Sequence, residues 1–252
     1  MKLSAPLFIL KRNAKHFSKS ENISYFEALD RTARLEGFES WRRLSHEHSA
    51  GTVDGIAGYD KVVEKFIQGT EAIDFTALHE PYLHLIPNNP SKILDIGSGV
   101  GRDAHKLADM GHEVVAIEPM PQFLEAARKL HSNQNIHWVN DSLPLLEKLE
   151  DQEIAQFDFV LASAVWHHID NPEREFAMER ISELVCTDGI FALSLRNGPV
   201  GGGTYQFPTN HQHTIALAEQ YGFEVLVALR DQPSLMAGKS KVKWSKIAFR
   251  RC

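Results

Sequence analysis

The sequence predicts an α/β protein, a mostly parallel sheet layered with helices, preceded by a small helical module. Three observations carry this. Short strand-like runs recur at 93–96, 114–117, 134–139, 157–161 and 189–195, that at 114–117 wholly apolar and β-branched but for Ala116, with helix-patterned stretches between them. That alternation is the signature of parallel strands joined by crossover helices. The first run leads into Gly97, Gly99 and Gly101 and then a helical face of Ala104, Leu107, Ala108 and Met110, so a strand turns tightly into a helix. The composition, 43% hydrophobic and 24% charged over 252 residues, supports a sizeable core.

The elements follow in order. Residues 1–50 read as a helical unit, domain one, and residues 51–252 as the α/β domain. Residues 7–20 place Phe8, Leu10, Ala14 and Phe17 among basic residues. Ser24 is an expected N-cap, with Glu27 three positions on and Tyr25, Leu29, Ala33 and Leu35 on the helix that follows. Phe38, Trp41 and Leu44 are the expected core of this unit. Residues 49–58 are rich in Gly, Ser and Thr and read as a linker. A helix is expected over 59–68, carrying Val62, Val63, Phe66 and Ile67, and Pro81, Pro87 and Pro90 precede the first strand. Further helices are expected over 119–130, 172–184 and 211–221, with Cys186 in the helical run at 181–186 as a small packed hydrophobe. Residues 198–208 form a glycine-rich loop after the fifth strand, and 223–229 with 244–249 read as a closing antiparallel hairpin.

Charge and cysteine content narrow the function. The formal net charge is -6, yet residues 1–50 carry 9 Lys/Arg against 6 Asp/Glu, and residues 237–252 carry 6 Lys/Arg and no acid. The acidic body between is not that of a general nucleic-acid binder, while the basic ends keep RNA open as a partner. The 2 cysteines make no metal pattern, and no metal is expected. No apolar segment approaches a membrane span, and the run at 7–10 is too short for a signal-peptide core, so a cytoplasmic protein without membrane contact is expected.

The glycine turn points to a nucleotide-like ligand, because glycines permit positive φ and the following helix N-terminus presents N–H groups. A dinucleotide fingerprint requires a glycine where Arg102 stands, so NAD fits poorly. Asp95-x-Gly97-x-Gly99-x-Gly101 instead resembles the first motif of class I S-adenosyl-L-methionine (SAM) methyltransferases. Glu118 ends the second strand about 20 residues after the first glycine, the spacing at which an acid meets ribose hydroxyls. Asp141 follows the third strand, and Ala162-Ser163-Ala164-Val165-Trp166-His167-His168 follows the fourth, each resembling that family's motif at that place.

The resemblance implies a Rossmann-like class I methyltransferase fold, a mostly parallel seven-stranded sheet with an antiparallel last strand. It implies cofactor contacts from Tyr59 in the lid and from Asp95, Gly97, Ser98, Gly99, Gly101, Arg102 and Asp103 around the first turn. Further contacts are implied from Glu118, Pro119 and Met120 after the second strand, Asp141, Ser142 and Leu143 after the third, and Ala162 and Ser163 after the fourth. His167 or His168 is the expected base or orienting group, the alternative being a loop-fixing hydrogen bond. Trp166 is expected to pack or to shield the adenine. Arg196 is expected to bind an acidic substrate group or to pair with a nearby acid, and His211 and His213 are expected as solvated caps. No Asn-Pro-Pro-Tyr-like tetrapeptide follows the fourth strand, which argues against base-flipping DNA methylation. The expected activity is methyl transfer from SAM, leaving S-adenosyl-L-homocysteine (SAH), to a small molecule. The alternatives are an RNA methyltransferase using the basic ends, or a SAM-binding regulator without turnover. The N-terminal module is expected either to recognise substrate or to serve as a stabilising appendage.

Overall fold

The computed structural model describes residues 3–5, 7–41, 43–44, 56, 58–152, 156–201, 203, 205–236 and 238–252. Its contacts divide into two units, residues 1–53 and residues 54–252. The expected linker at 49–58 lies outside the described residues except for Ile56 and Gly58.

In the first unit, α1 (Leu7–Glu21) packs with α2 (Tyr25–Leu35). Ser24 caps α2 by accepting the Glu27 N–H, which satisfies one of the donors left over at a helix start. Leu10, Ala14, Ala28, Leu29, Ala33, Phe38, Trp41 and Leu44 are buried.

The second unit opens with a 3-10 turn, Tyr59–Lys61, then α3 (Val63–Glu71), α4 (Phe75–His79) and a second 3-10 turn, Glu80–Leu85. Five strands and four helices follow: β1 (Lys92–Ile96), α5 (Arg102–Asp109), β2 (Glu113–Ile117), α6 (Pro121–Leu130), β3 (Ile136–Val139), β4 (Phe157–Ala162), α7 (Asn171–Leu184), β5 (Val185–Asn197) and α8 (His211–Gln220), with a 3-10 turn, Glu147–Gln152, between β3 and β4. The antiparallel pair β6 (Phe223–Pro233) and β7 (Lys243–Arg251) closes the sheet. The strand order is β3-β2-β1-β4-β5-β7-β6, with β7 antiparallel to β5 and the first five strands parallel.

Each central strand is buried on both faces, which is why those runs are continuously apolar rather than alternating. Leu94, Ile96, Val115, Ile117 and Val160 face a core shared with Ala177, Ile181 and Leu217 from α7 and α8. Ile93, Val114, Phe159 and Leu161 face the other core, with Ala104, Leu107 and Ala108 of α5. By strand alternation Asp95 falls on the α5 face.

Two local expectations are corrected. Cys186 lies on β5, not on a helix; α7 stops at Leu184 because Val185 joins the parallel ladder opposite Phe157. Its thiol is half-buried, 3.8 Å from the Asp158 carboxylate, and burial with that carboxylate raises its pKa. His211 is buried rather than a solvated cap, since Asn210 takes the capping role and accepts the His213 N–H.

Candidate cofactor and acceptor site

In the order β3-β2-β1-β4-β5 the crossovers reverse direction between β1 and β4. Open α/β sheets bind ligands beyond the carboxyl ends of their strands at such a point. The glycine turn sits there. Gly97, Gly99 and Gly101 have φ of +68°, +57° and +89°, in the region that favours glycine. A Cβ on Gly97 would lie 2.5 Å from Val165 Cγ2, and one on Gly101 would lie 2.4 Å from the Trp138 ring. The Ser98 N–H donates to the Ile117 carbonyl at 2.8 Å and ties the turn to β2.

Three acids stand at or just beyond the carboxyl ends of β1, β2 and β3. Asp95 is buried at the end of β1, and its Oδ2 has no hydrogen-bond partner. Burial, then the nearby Asp103 carboxylate, hold its pKa well above the usual carboxylate range. The Ser98 hydroxyl beside it is also buried and unpartnered. Glu118 accepts the Gly99 N–H on one oxygen at 2.9 Å and the Met120 N–H on the other at 2.8 Å. Burial raises its pKa to about 7 against those two bonds. Asp141 accepts the Ser142 and Lys148 N–H groups at 2.8 and 2.7 Å, while burial raises its pKa.

The sequence-predicted residues are brought together unevenly. Pro119, Met120, Ser142 and Leu143 follow β2 and β3, with Met120 and Leu143 buried; Ala162 ends β4 and Ser163 is half-buried. Arg102 and Asp103 engage each other: Arg102 Nε donates to Asp103 at 2.7 Å, and Arg102 Nη1 donates to the Thr70 carbonyl at 3.1 Å. His79 lies 3.0 Å from the other Asp103 oxygen, so Asp103 is held ionised despite burial. Tyr59 is buried, edge-on to Phe66, Phe123 and His168. Trp166 is fully buried in the core near Phe191, away from solvent.

Sequence reasoning missed four contributors. Phe66 of α3 lies over Gly99, 3.3 Å from where its Cβ would be, and stacks on Phe123 at 4.5 Å. Asn140 donates to the carbonyls of Glu118 and Pro119, both at 2.9 Å. Ser194 Oγ accepts the Ala164 N–H at 2.8 Å and fixes the strained turn after β4, where Ala164 has φ of +61°. Arg174 donates to the Trp166 carbonyl at 3.0 Å and the Pro208 carbonyl at 2.9 Å, joining the loops after β4 and β5. Its position in an ordinary helical pattern gave no signal; only its folded contact with the Pro208 carbonyl reveals the role.

After β4, His167 is buried and its ring centroid is 4.1 Å from that of His168. Burial, then neighbouring His168, Arg196 and Arg174, hold its pKa well below the ordinary value, so it is neutral. Its Nδ1 has no hydrogen-bond partner, and its carbonyl accepts the Phe207 N–H at 2.9 Å. Arg196, near the end of β5, donates from Nη1 to the Gln206 side-chain carbonyl.

These residues fit SAM. A buried carboxylate oxygen and a hydroxyl without partners await donors beside the glycine turn, where a cationic amino group would satisfy them. Each Glu118 oxygen keeps a second lone pair for a ribose hydroxyl.

Comparison with known proteins agrees with this geometry. Residues 94–191 match a family described as a methyltransferase domain. An uncharacterized methyltransferase of Mycobacterium bovis is 30% identical over 110 residues, which cover 43% of this chain and 41% of that one. The match thus spans about two fifths of the relative's length. A TehB-like SAM-dependent methyltransferase from Corynebacterium glutamicum superposes with a TM-score of 0.57 at 18% identity, covering 77% of this chain and 98% of that one. The 1,6-didemethyltoxoflavin-N1-methyltransferase of Burkholderia thailandensis, solved with its substrate and SAH, gives 0.55 at 21% identity over 82% and 89%. At these identities the structural likenesses establish the fold.

Proposed function

We propose that this chain, a methyltransferase domain of the class I SAM-dependent kind joined to a helical module, transfers a methyl group from SAM to a small-molecule acceptor. The observation that carries the reading is the glycine turn at the switch point, with Asp95 and Ser98 unpartnered and Glu118 buried beside it. Asp95, Ser98 and the 97–101 turn hold the methionine part, Glu118 the ribose, and Asp141, Ser142 and Leu143 the adenine. Tyr59 and Phe66 close over them and keep water out. Arg102 and Asp103 act through their mutual pair, which braces the start of α5.

SAM when bound supplies a methyl already activated by the sulfonium charge. The remaining work is to orient a nucleophile and hold its proton. A neutral, buried imidazole suits the second task, so His167, with His168 against it, is the proposed proton acceptor or orienting group. The Burkholderia enzyme, with its bound 1,6-didemethyltoxoflavin, supports a small acceptor. No helix among the described residues is long and apolar enough to cross a membrane, and both cysteines are free thiols, in keeping with a reducing, cytoplasmic setting. The N-terminal module, on this reading, contributes acceptor recognition.

Titration calorimetry tests the cofactor half. SAH binds the wild type, and Gly99→Arg abolishes binding because even a Cβ there meets Phe66. A folded sample that ignores SAH and binds NADH would end this reading.

A further inference from the structure

Half-buried Arg102, buried Arg174 and Arg196, and buried Lys246 differ in their counter-charges. Arg102 has Asp103, with Asp95 and Glu71 near it. Arg174 has Asp170 and Glu173 nearby as well as carbonyl partners. Lys246 donates to the Leu78 carbonyl with Glu80 and Asp103 in range. Arg196 is buried to 6% exposure, yet among the described residues no carboxylate pairs with it. Its guanidinium hydrogen bond ends on the neutral Gln206 amide, which in turn donates to the Gly198 carbonyl at 2.8 Å. Arg196 and Arg174 also act on neighbouring His167, both lowering its pKa. An unpaired buried charge is unfavourable unless a partner completes it.

The position indicates which partner. Arg196 lies near the carboxyl end of β5, separated from β1 and its glycine turn by β4. Two inter-strand spacings put it about 10 Å across the sheet from the turn, on the acceptor side. Gly201 lies against it: a Cβ there would be in van der Waals contact, 3.8 Å from Arg196 Cζ and Nη2 and 3.9 Å from the Tyr59 hydroxyl, so the lack of a side chain at 201 leaves that face of the guanidinium without a side-chain cover. A guanidinium fork binds a carboxylate through two parallel hydrogen bonds, and the single positive charge is balanced by the carboxylate's single negative charge.

We propose that Arg196 determines acceptor specificity: the methyl acceptor carries a carboxylate, which docks on the Arg196 guanidinium in front of Gly201. The carboxylate is the anchor, and the methylated atom lies elsewhere on the molecule, toward His167. This rests on the methyl-transfer reading above.

The test titrates benzoate, and its uncharged counterpart benzamide, into the full chain saturated with SAH. Benzoate is expected to bind at least tenfold tighter than benzamide. Arg196→Gln should erase that preference, and Arg196→Lys should keep part of it, while SAH affinity stays within threefold in both. SAH binding itself reports that the variants are folded. Equal binding of benzoate and benzamide to the wild type overturns the proposal. So does a tenfold loss of SAH affinity in folded Arg196→Gln, which would assign the arginine to the cofactor's own carboxylate. Failure of the wild type to bind SAH would instead defeat the methyl-transfer reading, and this proposal with it. In a second arm, the labelled product made from SAM and cell metabolites should be retained on an anion-exchange resin at pH 8; a product that flows through contradicts the anchor.

Discussion

Replacing Glu118 by Gln separates what this residue does for the fold from what it does for the ligand. In the wild type both oxygens accept backbone N–H groups, from Gly99 at 2.9 Å and Met120 at 2.8 Å. A glutamine amide offers one acceptor and one donor, so one of those N–H groups loses its partner, at about 1.5–3 kcal/mol. Against this, the carboxylate's pKa rises from 4.5 to about 7 in the fold. A carboxylate whose folded pKa is raised binds protons more tightly when folded, so its stability contribution falls as pH climbs from 4.5 to 7. Between pH 5 and pH 8 that loss is about 2–3 kcal/mol, and the glutamine variant escapes it. The variant should therefore be clearly less stable than wild type at pH 5 and close to it at pH 8. Urea denaturation at the two pH values reads this directly. Ligand affinity should behave oppositely. Wild-type affinity for SAH rises about tenfold from pH 6 to pH 8, as the ionised fraction climbs from roughly one tenth to nine tenths. The variant binds about 100-fold more weakly at pH 8, from the loss of two charge-assisted bonds to ribose hydroxyls. A variant with wild-type SAH affinity at pH 8, or a wild type whose affinity is flat with pH, refutes the assignment of Glu118.

The other expectations are narrower. Gly101→Ala combines a left-handed backbone, about 1–2 kcal/mol, with overpacking against Trp138 of about 1–3 kcal/mol; Gly111→Ala has open space around it and should show only the first, as compared by thermal denaturation. Arg174→Met leaves the Trp166 and Pro208 carbonyls without their donor and should lower stability by about 3 kcal/mol, with faster proteolysis of the 198–210 loop; an unchanged cleavage rate would remove Arg174 from that role. Tyr82→Phe deletes a buried hydroxyl that donates to the Leu193 carbonyl at 2.6 Å and should cost about 1–3 kcal/mol in urea denaturation without changing SAH affinity. A chain beginning at Asp54 should fold and keep SAH affinity within threefold while losing acceptor turnover; collapse of SAH affinity would place the module in the cofactor site, and unchanged turnover would make it an appendage.

The parts legible in the sequence were those set by local chemistry. Glycines at alternating positions after an apolar run announced the turn, because few other residues accept that backbone. The strand-end acids Asp95, Glu118 and Asp141 were readable from their place after β-branched runs. What stayed hidden depends on distant partners. Residues 181–186 look continuously helical until Val185 is drawn into register with Phe157. His79 gives no local sign that it will meet Asp103, nor Phe66 that it will cover Gly99. Arg196 was visible as a charge at a strand end, but whether an acid neutralises it was decided only by the folded surroundings.

Incubation with methyl-labelled SAM, followed by separation of metabolites, RNA and protein from the same cells, puts the central claim to its most direct trial. The account predicts label in the small-molecule fraction, dependent on an intact Gly99. Label confined to RNA or protein, or no transfer by a sample that binds SAH, would contradict it.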